Sequence, residues 1–228
     1  MGDAEKDRRI DLDDPLRVSA PLFSVDIPDG IGLVFEEQAH TEGYTCVAGV
    51  DEVGRGCLAG PVVAAACILD CSKPLHKKLN DSKKLAPAVR EEIAEQLKSE
   101  TVCFGIGQVE ADEIDRINIL EATKKAMKLA IADLETPADF LLIDAIQLRD
   151  LPLPQRAIIK GDSICASIAA ASILAKTYRD RLMADYDAEF PHYGFAGHVG
   201  YGTAAHLAAL RKHGPCRIHR KSFRGVVS

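Results

Sequence analysis

No apolar stretch of this 228-residue chain reaches the roughly 18 residues of a membrane-spanning helix, so none is expected. The N-terminus has no apolar h-region and does not read as a secretory signal. Ten acids among the first 40 residues argue against a mitochondrial presequence as well. Cysteine is too irregular for a disulfide framework. The seven thiols, at positions 46, 57, 67, 71, 103, 165 and 216, are odd in number and scattered, some inside apolar runs such as Ala66-Cys67-Ile68. That usage predicts reduced, mostly buried thiols in a cytoplasmic protein. Cys67 and Cys71 have no second ligand pair nearby, which argues against a zinc site. The phosphate-loop pattern G-x-x-x-x-G-K-S/T is missing too, and no internal repeat or low-complexity tract is present. Finally, no acid occurs from Phe190 to the end, where six Lys/Arg and five His lie.

That last absence relocates the net charge of −6. Residues 1–40 hold ten acids and four Lys/Arg, and the remaining 188 residues hold 24 of each. The deficit belongs to the N-terminal segment, while the C-terminal end is a candidate phosphate-binding face. A hydrophobic fraction of 47% suffices for one sizeable domain. Residues 1–40, punctuated by Pro15, Pro21, Pro28 and Gly30, read as a flexible acidic extension with a short helix near Val34–His40. Residues 41–228 read as the functional domain, closed by a C-terminal helical segment from about 190.

Within that domain, Thr45–Asp51 and Pro61–Leu69 read as strands of a hairpin joined by a Gly-rich turn. A helix is predicted from Pro87, with Leu85, Val89, Ile93 and Leu97 on one face. Val102–Val109 follows as a strand, then a helix over 111–134, broken near Asn118, with Leu120, Met127, Ile131 and Leu134 inward. Phe140–Asp144 and Ala157–Lys160 are short strands. A long helix spans Ser163–Glu189, and a last one, Thr203–His213, is stopped by Gly214-Pro215. Two antiparallel strands followed by strand–helix alternation predict an α/β domain with a mixed sheet flanked by helices.

The chemistry concentrates in Val50-Asp51-Glu52-Val53-Gly54-Arg55-Gly56. Two adjacent carboxylates at the end of a buried strand repel each other and resist desolvation, and a cation relieves both costs. Glycines let backbone N–H groups approach a ligand closely, and a guanidinium grips phosphate or hydroxyl oxygens. Asp144 ends a fully apolar strand, at the edge where ligands of such sheets collect. Asp162 lies just before the long helix, where an N-cap role is equally open. Two-metal phosphodiester hydrolysis requires hard oxygen ligands of this kind. Asp51, Glu52, Asp144 and Asp162 are the four candidates.

The same residues carry a family resemblance. Asp51–Gly56 followed by Leu58-Ala59-Gly60-Pro61-Val62-Val63-Ala64-Ala65-Ala66 resembles the signature of bacterial ribonuclease HII. So do Asp81-Ser82-Lys83-Lys84-Leu85, Leu142-Ile143-Asp144, Lys160-Gly161-Asp162, Ser172–Lys176 with Arg179-Asp180, Gly200-Tyr201-Gly202-Thr203 and Ile218–Phe223, in order from about Gly43 to Phe223. The resemblance implies an RNase H-like fold with a five-stranded sheet, and Mg²⁺- or Mn²⁺-dependent cleavage of the RNA strand of RNA–DNA hybrids. It also implies nicking 5′ of single ribonucleotides in duplex DNA, with a monomer expected and no membrane involved. By position, Asp51, Glu52, Asp144 and Asp162 become the catalytic, metal-holding acids. Gly54, Arg55 and Gly56 become the junction-sensing loop, and Tyr201 the tyrosine that stacks on the next sugar. Lys83, Lys176, Arg220, Lys221 and Ser222 are expected to touch substrate.

Four positions depart from the family pattern. Cys57 stands where proline is common, Ala145 where glycine is common, Val199 where lysine is usual, and Tyr178 is an unusual choice. Ribonuclease HIII resembles Asp-Glu-Ser-Gly-Lys-Gly at the first motif, so Arg55 argues against it. A non-catalytic nucleic-acid binder on the same fold is disfavoured because all four acids are present.

Overall fold

The computed structural model describes residues 30–227, so most of the acidic extension lies outside the described residues. Five strands form one mixed sheet: β1 (Val47–Val53), β2 (Val62–Ile68), β3 (Cys103–Val109), β4 (Phe140–Asp144) and β5 (Gln155–Ile158). Their order is β3-β2-β1-β4-β5. The first three strands are antiparallel neighbours, as the glycine-rich turn demands. β4 pairs with β1, and β5 with β4, in parallel, each after a crossover.

Helices cover both faces. On one, α4 (Ile119–Ala132) packs over Val50, Val62, Ala64 and Ala66, joined by α3 (Ala111–Ile117) through Ile114. On the other, α5 (Ala166–Glu189) and α2 (Pro87–Glu100) cover Val63, Ala65 and Cys67. Gly49 makes the α5 contact possible: a Cβ there would sit 2.1 Å from the Ser167 carbonyl carbon. The α5 backbone therefore lies directly on β1, and the first ten residues of the helix, Ala166–Ala175, are all buried. Helix α1 (Val34–Thr41) closes the near edge with Phe35 and Ala39 against Val47 and Phe140. The folded body thus reaches back past residue 40.

Chain breaks fall where local chemistry dictates. Asn118 adopts φ 69°, and its side chain accepts from the N–H groups of Leu120 and Glu121, starting α4 afresh. Leu120 was expected inward. It is instead 43% exposed, because the new N-terminus rotates its first residues outward. The last strand is displaced as well. It spans Gln155–Ile158, with Ile159 79% exposed and Lys160 left-handed at φ 58°. A short 3₁₀ turn, Gly161–Ser163, then precedes α5, whose N-cap is Cys165. Asp162 therefore does not cap the long helix. The C-terminal segment, with α6 (Phe195–His198) and α7 (Ala204–His213), packs Tyr193, Phe195, Leu210 and Ile218 around Ala59 and Met183. Among the described residues no helix is long and apolar enough to cross a membrane.

Candidate active site

Strand register places the first acids. Val50 faces Ile143 across the parallel β1/β4 pair, so Asp51 and Asp144 stand next in line on neighbouring strands. Side-chain alternation puts both on the α5 face, the face of Gly49 and Leu142. Asp51 is buried, its Oδ1 accepts from the Glu52 N–H at 2.7 Å, and Ser172 from α5 lies beside its carboxylate. Ser172 in turn shares a 2.9 Å hydrogen bond with Ser82. The Gly161 N–H donates to Asp144 Oδ1 at 2.8 Å, which draws the 3₁₀ turn and Asp162 to the end of β4. Lys83 Nζ lies 3.1 Å from Asp162 Oδ2. Acids from three separate places in the chain, Asp51-Glu52, Asp144 and Asp162, thus gather near the ends of β1 and β4.

The electrostatics are those of crowded, desolvated carboxylates, which a cation would relieve. Burial, followed by the neighbouring charges of Glu52 and Asp144, holds the Asp51 carboxyl well above the usual carboxylate range. Burial likewise raises Glu52, against the opposing pull of Arg55. Asp144 is raised by burial and by Asp162. Glu52 Oε1 takes an ion pair from Arg55 at 3.2 Å, but its buried Oε2 has no hydrogen-bond partner among the described residues. Burial alone would lower Lys83, yet the Asp162 carboxylate beside it raises it overall. An orphaned carboxylate oxygen among oxygen-only donors fits a hard divalent ion. No three His, Cys, Asp or Glu groups close into a ready cage among the described residues. Mg²⁺ does not require one, since it binds through one or two carboxylates and completes its shell with water and phosphate oxygens.

The glycine turn sits against these acids. Gly54 takes φ +88°, and a Cβ there would lie 2.3 Å from Arg179 Nε, so only glycine fits. Arg55 and Gly56 are exposed. A Cβ on Gly56 would stand 4.0 Å from the ring of Tyr201, which is 44% exposed. Loop and tyrosine thus lie side by side at the surface.

Other expected substrate contacts are placed differently. Arg220 requires correction: it is fully buried, donating to the Gly60 carbonyl through Nε and Nη2 and to the Arg55 carbonyl through Nη1. All three bonds hold the glycine loop from behind, which leaves the guanidinium turned away from solvent. Ser222 donates its N–H and hydroxyl to Asp115, which also accepts from the Lys221 N–H. The Lys221 side chain remains exposed. Lys176 is half-buried and paired with Asp180. The basic face is also narrower than the residue count predicts. His206 and His219 are buried, Arg217 pairs with Glu189, and Arg211, Lys212, Lys221 and Arg224 supply its exposed charge.

Two departures acquire a structural meaning. Ala145 adopts φ 50° and Val199 φ 43°, the left-handed region where side chains other than glycine are strained. Glycine at 145 would relieve that strain just beyond Asp144. Cys57 is buried under Tyr201. Sequence reasoning assigned no role to Ser172, Arg179 or His206. One signal existed for Arg179: it sits at helical spacing between the buried Ala175 and Met183.

Comparison with known proteins agrees with this geometry. The protein-family profile described as Ribonuclease HII matches residues 48–226. A ribonuclease HII from Chlamydia caviae is 59% identical over 191 residues, covering 83% of this chain and 89% of its own. One from Syntrophotalea carbinolica is 53% identical over 194 residues, covering 85% and 92%. Among solved structures, ribonuclease H2 from Pyrococcus horikoshii superposes with a TM-score of 0.67 at 24% identity, over 80% of this chain and 95% of that one. Bst-RNase HIII, solved in complex with Mn²⁺, superposes with a TM-score of 0.60 at 21% identity, over 82% and 70%. These last two likenesses speak for the RNase H-like fold alone. With the profile spanning most of the domain and relatives above half identity along it, the chain belongs to the ribonuclease HII family.

Proposed function

We propose that this ribonuclease H hydrolase cuts the RNA strand of RNA–DNA hybrids and nicks 5′ of single ribonucleotides embedded in duplex DNA, leaving 3′-hydroxyl and 5′-phosphate ends. The observation that carries the reading is the adjacency of Asp51 and Asp144 at the ends of β1 and β4, beside the Gly54–Gly56 turn. Asp51, Glu52, Asp144 and Asp162 would hold two divalent ions, Mg²⁺ or Mn²⁺. When bound, such ions activate the attacking water and neutralise charge on the leaving 3′ oxygen.

The chain's own residues do the rest. The Glu52 N–H, with Ser172 alongside, orients the Asp51 carboxylate, and the Gly161 N–H orients that of Asp144. Lys83, held by Asp162 with most of its side chain exposed, balances anionic charge beside these acids. The 2′-hydroxyl is what separates RNA from DNA. Backbone groups of the glycine turn can reach it where a side chain would block approach. The open ring of Tyr201 suits stacking against the following sugar, with its hydroxyl free to bond. Arg211, Lys212, Lys221 and Arg224 would grip the backbone through salt-sensitive contacts.

The test is incubation with Mg²⁺ or Mn²⁺ and either a duplex carrying one ribonucleotide or a continuous hybrid. A nick 5′ of the lone ribonucleotide, and cleavage within the hybrid, are expected. Binding without cleavage, or cleavage confined to continuous hybrids, would overturn the reading.

A further inference from the structure

Arg179 is among the largest fully buried side chains of the described protein, and no carboxylate pairs with it among those residues. A buried guanidinium is costly unless its donors are satisfied. Here three backbone carbonyls do so. Nε donates to Pro61 at 3.0 Å, Nη2 to Ala59 at 3.0 Å and Nη1 to Val199 at 2.8 Å. These acceptors belong to two separate segments. Ala59 and Pro61 end the glycine turn, and Val199 stands two residues before Tyr201. The guanidinium also underlies Gly54. One side chain therefore ties the loop that approaches the ribose to the segment between α6 and α7 that carries the tyrosine. Those segments also meet through the Leu58 N–H bond to the Gly200 carbonyl, 2.8 Å.

Arg179 shares its helix with Ser172, seven residues earlier, which lies beside the Asp51 carboxylate. Seven residues of α-helix are two turns, roughly 10 Å. Helix α5 thus presents one contact to a catalytic acid and another to the reading elements, both on a rigid rod buried against β1.

We propose that Arg179 is a positioning residue that sets junction selectivity. Through α5 it fixes the glycine turn and Tyr201 at a set distance from the carboxylates. The inference rests on the function proposed above. A continuous hybrid offers a ribose at every register, so imprecise placement of the reading elements matters little there. A single ribonucleotide offers one register, so the same imprecision removes most productive encounters.

The test uses the full chain with Arg179→Met, which keeps volume without the buried charge, and Arg179→Lys, which keeps charge but loses the planar fork. Steady-state cleavage of both substrates is compared, with folding checked by circular dichroism. Single-ribonucleotide nicking is expected to fall at least about tenfold more than hybrid cleavage, in kcat/KM, for whichever variant folds. In a Tyr201→Ala background, adding the Arg179 substitution is expected to change the selectivity ratio by clearly less than it does in wild type, because the two share the tyrosine. Equal losses on both substrates, or effects on the ratio that multiply in the double variant, would overturn the inference. So would failure of both variants to fold, since Arg179 would then be a general structural element. If wild type itself does not nick the single ribonucleotide, the proposed function fails first. Wild-type nicking with an unchanged ratio in the variants refutes the Arg179 role alone.

Discussion

Asp51 is the residue at which stability and chemistry oppose each other. Burial and two neighbouring acids raise its carboxyl, so its ionised form destabilises the folded chain near neutral pH. Asp51→Asn is therefore expected to abolish cleavage while making the metal-free protein more stable. A gain of about 1 kcal/mol would raise the thermal midpoint by roughly 2–4 °C. If the four acids hold the ions as proposed, added Mg²⁺ or Mn²⁺ stabilises wild type and stabilises the variant less. Differential scanning calorimetry with and without the metal reads both. A variant less stable than wild type would contradict the view of Asp51 as a repelled, desolvated anion. Two arginines teach a related lesson. Arg179 and Arg220 look like phosphate ligands in a list of basic residues, yet both are buried and hold carbonyls of the glycine turn.

The decisive contact between elements is that of β1 with α5. Gly49 has no Cβ, so the helix backbone rests on the strand, and Ser172 comes within reach of Asp51. Gly49→Ala inserts a methyl group 2.1 Å from the Ser167 carbonyl carbon, against backbone that cannot rotate away. A loss of about 3 kcal/mol is expected in urea denaturation, together with weakened cleavage. An unchanged midpoint would mean that the helix is not seated as described. The elements around this contact were largely legible: the hairpin, the break at Asn118 and the long helix all follow from local patterns. The start of β5 and the outward turn of Leu120 were not, because strand pairing and helix rotation depend on partners that periodicity does not name.

At the scale of the whole molecule, a buried histidine pair links the C-terminal segment to the tyrosine. His206 donates Nδ1–H to the Tyr201 carbonyl at 2.9 Å, which leaves its Nε2 to accept from His219 Nε2–H at 3.0 Å. His219 Nδ1 then accepts from the Cys216 N–H at 2.9 Å. Only neutral rings satisfy this chain, with His198 stacked on His206 and Tyr193 against His219. Burial lowers both groups, His219 to about 4, with His206 adding to that shift. An unfolded histidine binds its proton near pH 6.5, so below that pH the unfolded chain takes up protons that the folded one refuses. The stabilising contribution is full above pH 6.5 and declines as pH falls toward 4. Asp51 and Glu52, being raised, shift stability the opposite way. The readout is therefore the difference between wild type and His219→Gln. Between pH 6.5 and 5, wild type should lose about 2 kcal/mol more than the variant. Parallel urea midpoints across that range would refute the neutral-pair assignment.

Local composition was enough to determine the hairpin with its paired acids, the apolar strand ending in Asp144, the long small-residue helix and the family to which they point. These features are written in contiguous residues, through burial periodicity and turn chemistry. Only the tertiary structure decided which distant groups satisfy one another. It brought Asp144 beside Asp51, withdrew Arg220 from the surface and set Arg179 beneath the glycine turn. The reason is physical: a chain pattern records which side chains leave water, whereas the partner that satisfies a buried charge is chosen by packing across the whole fold.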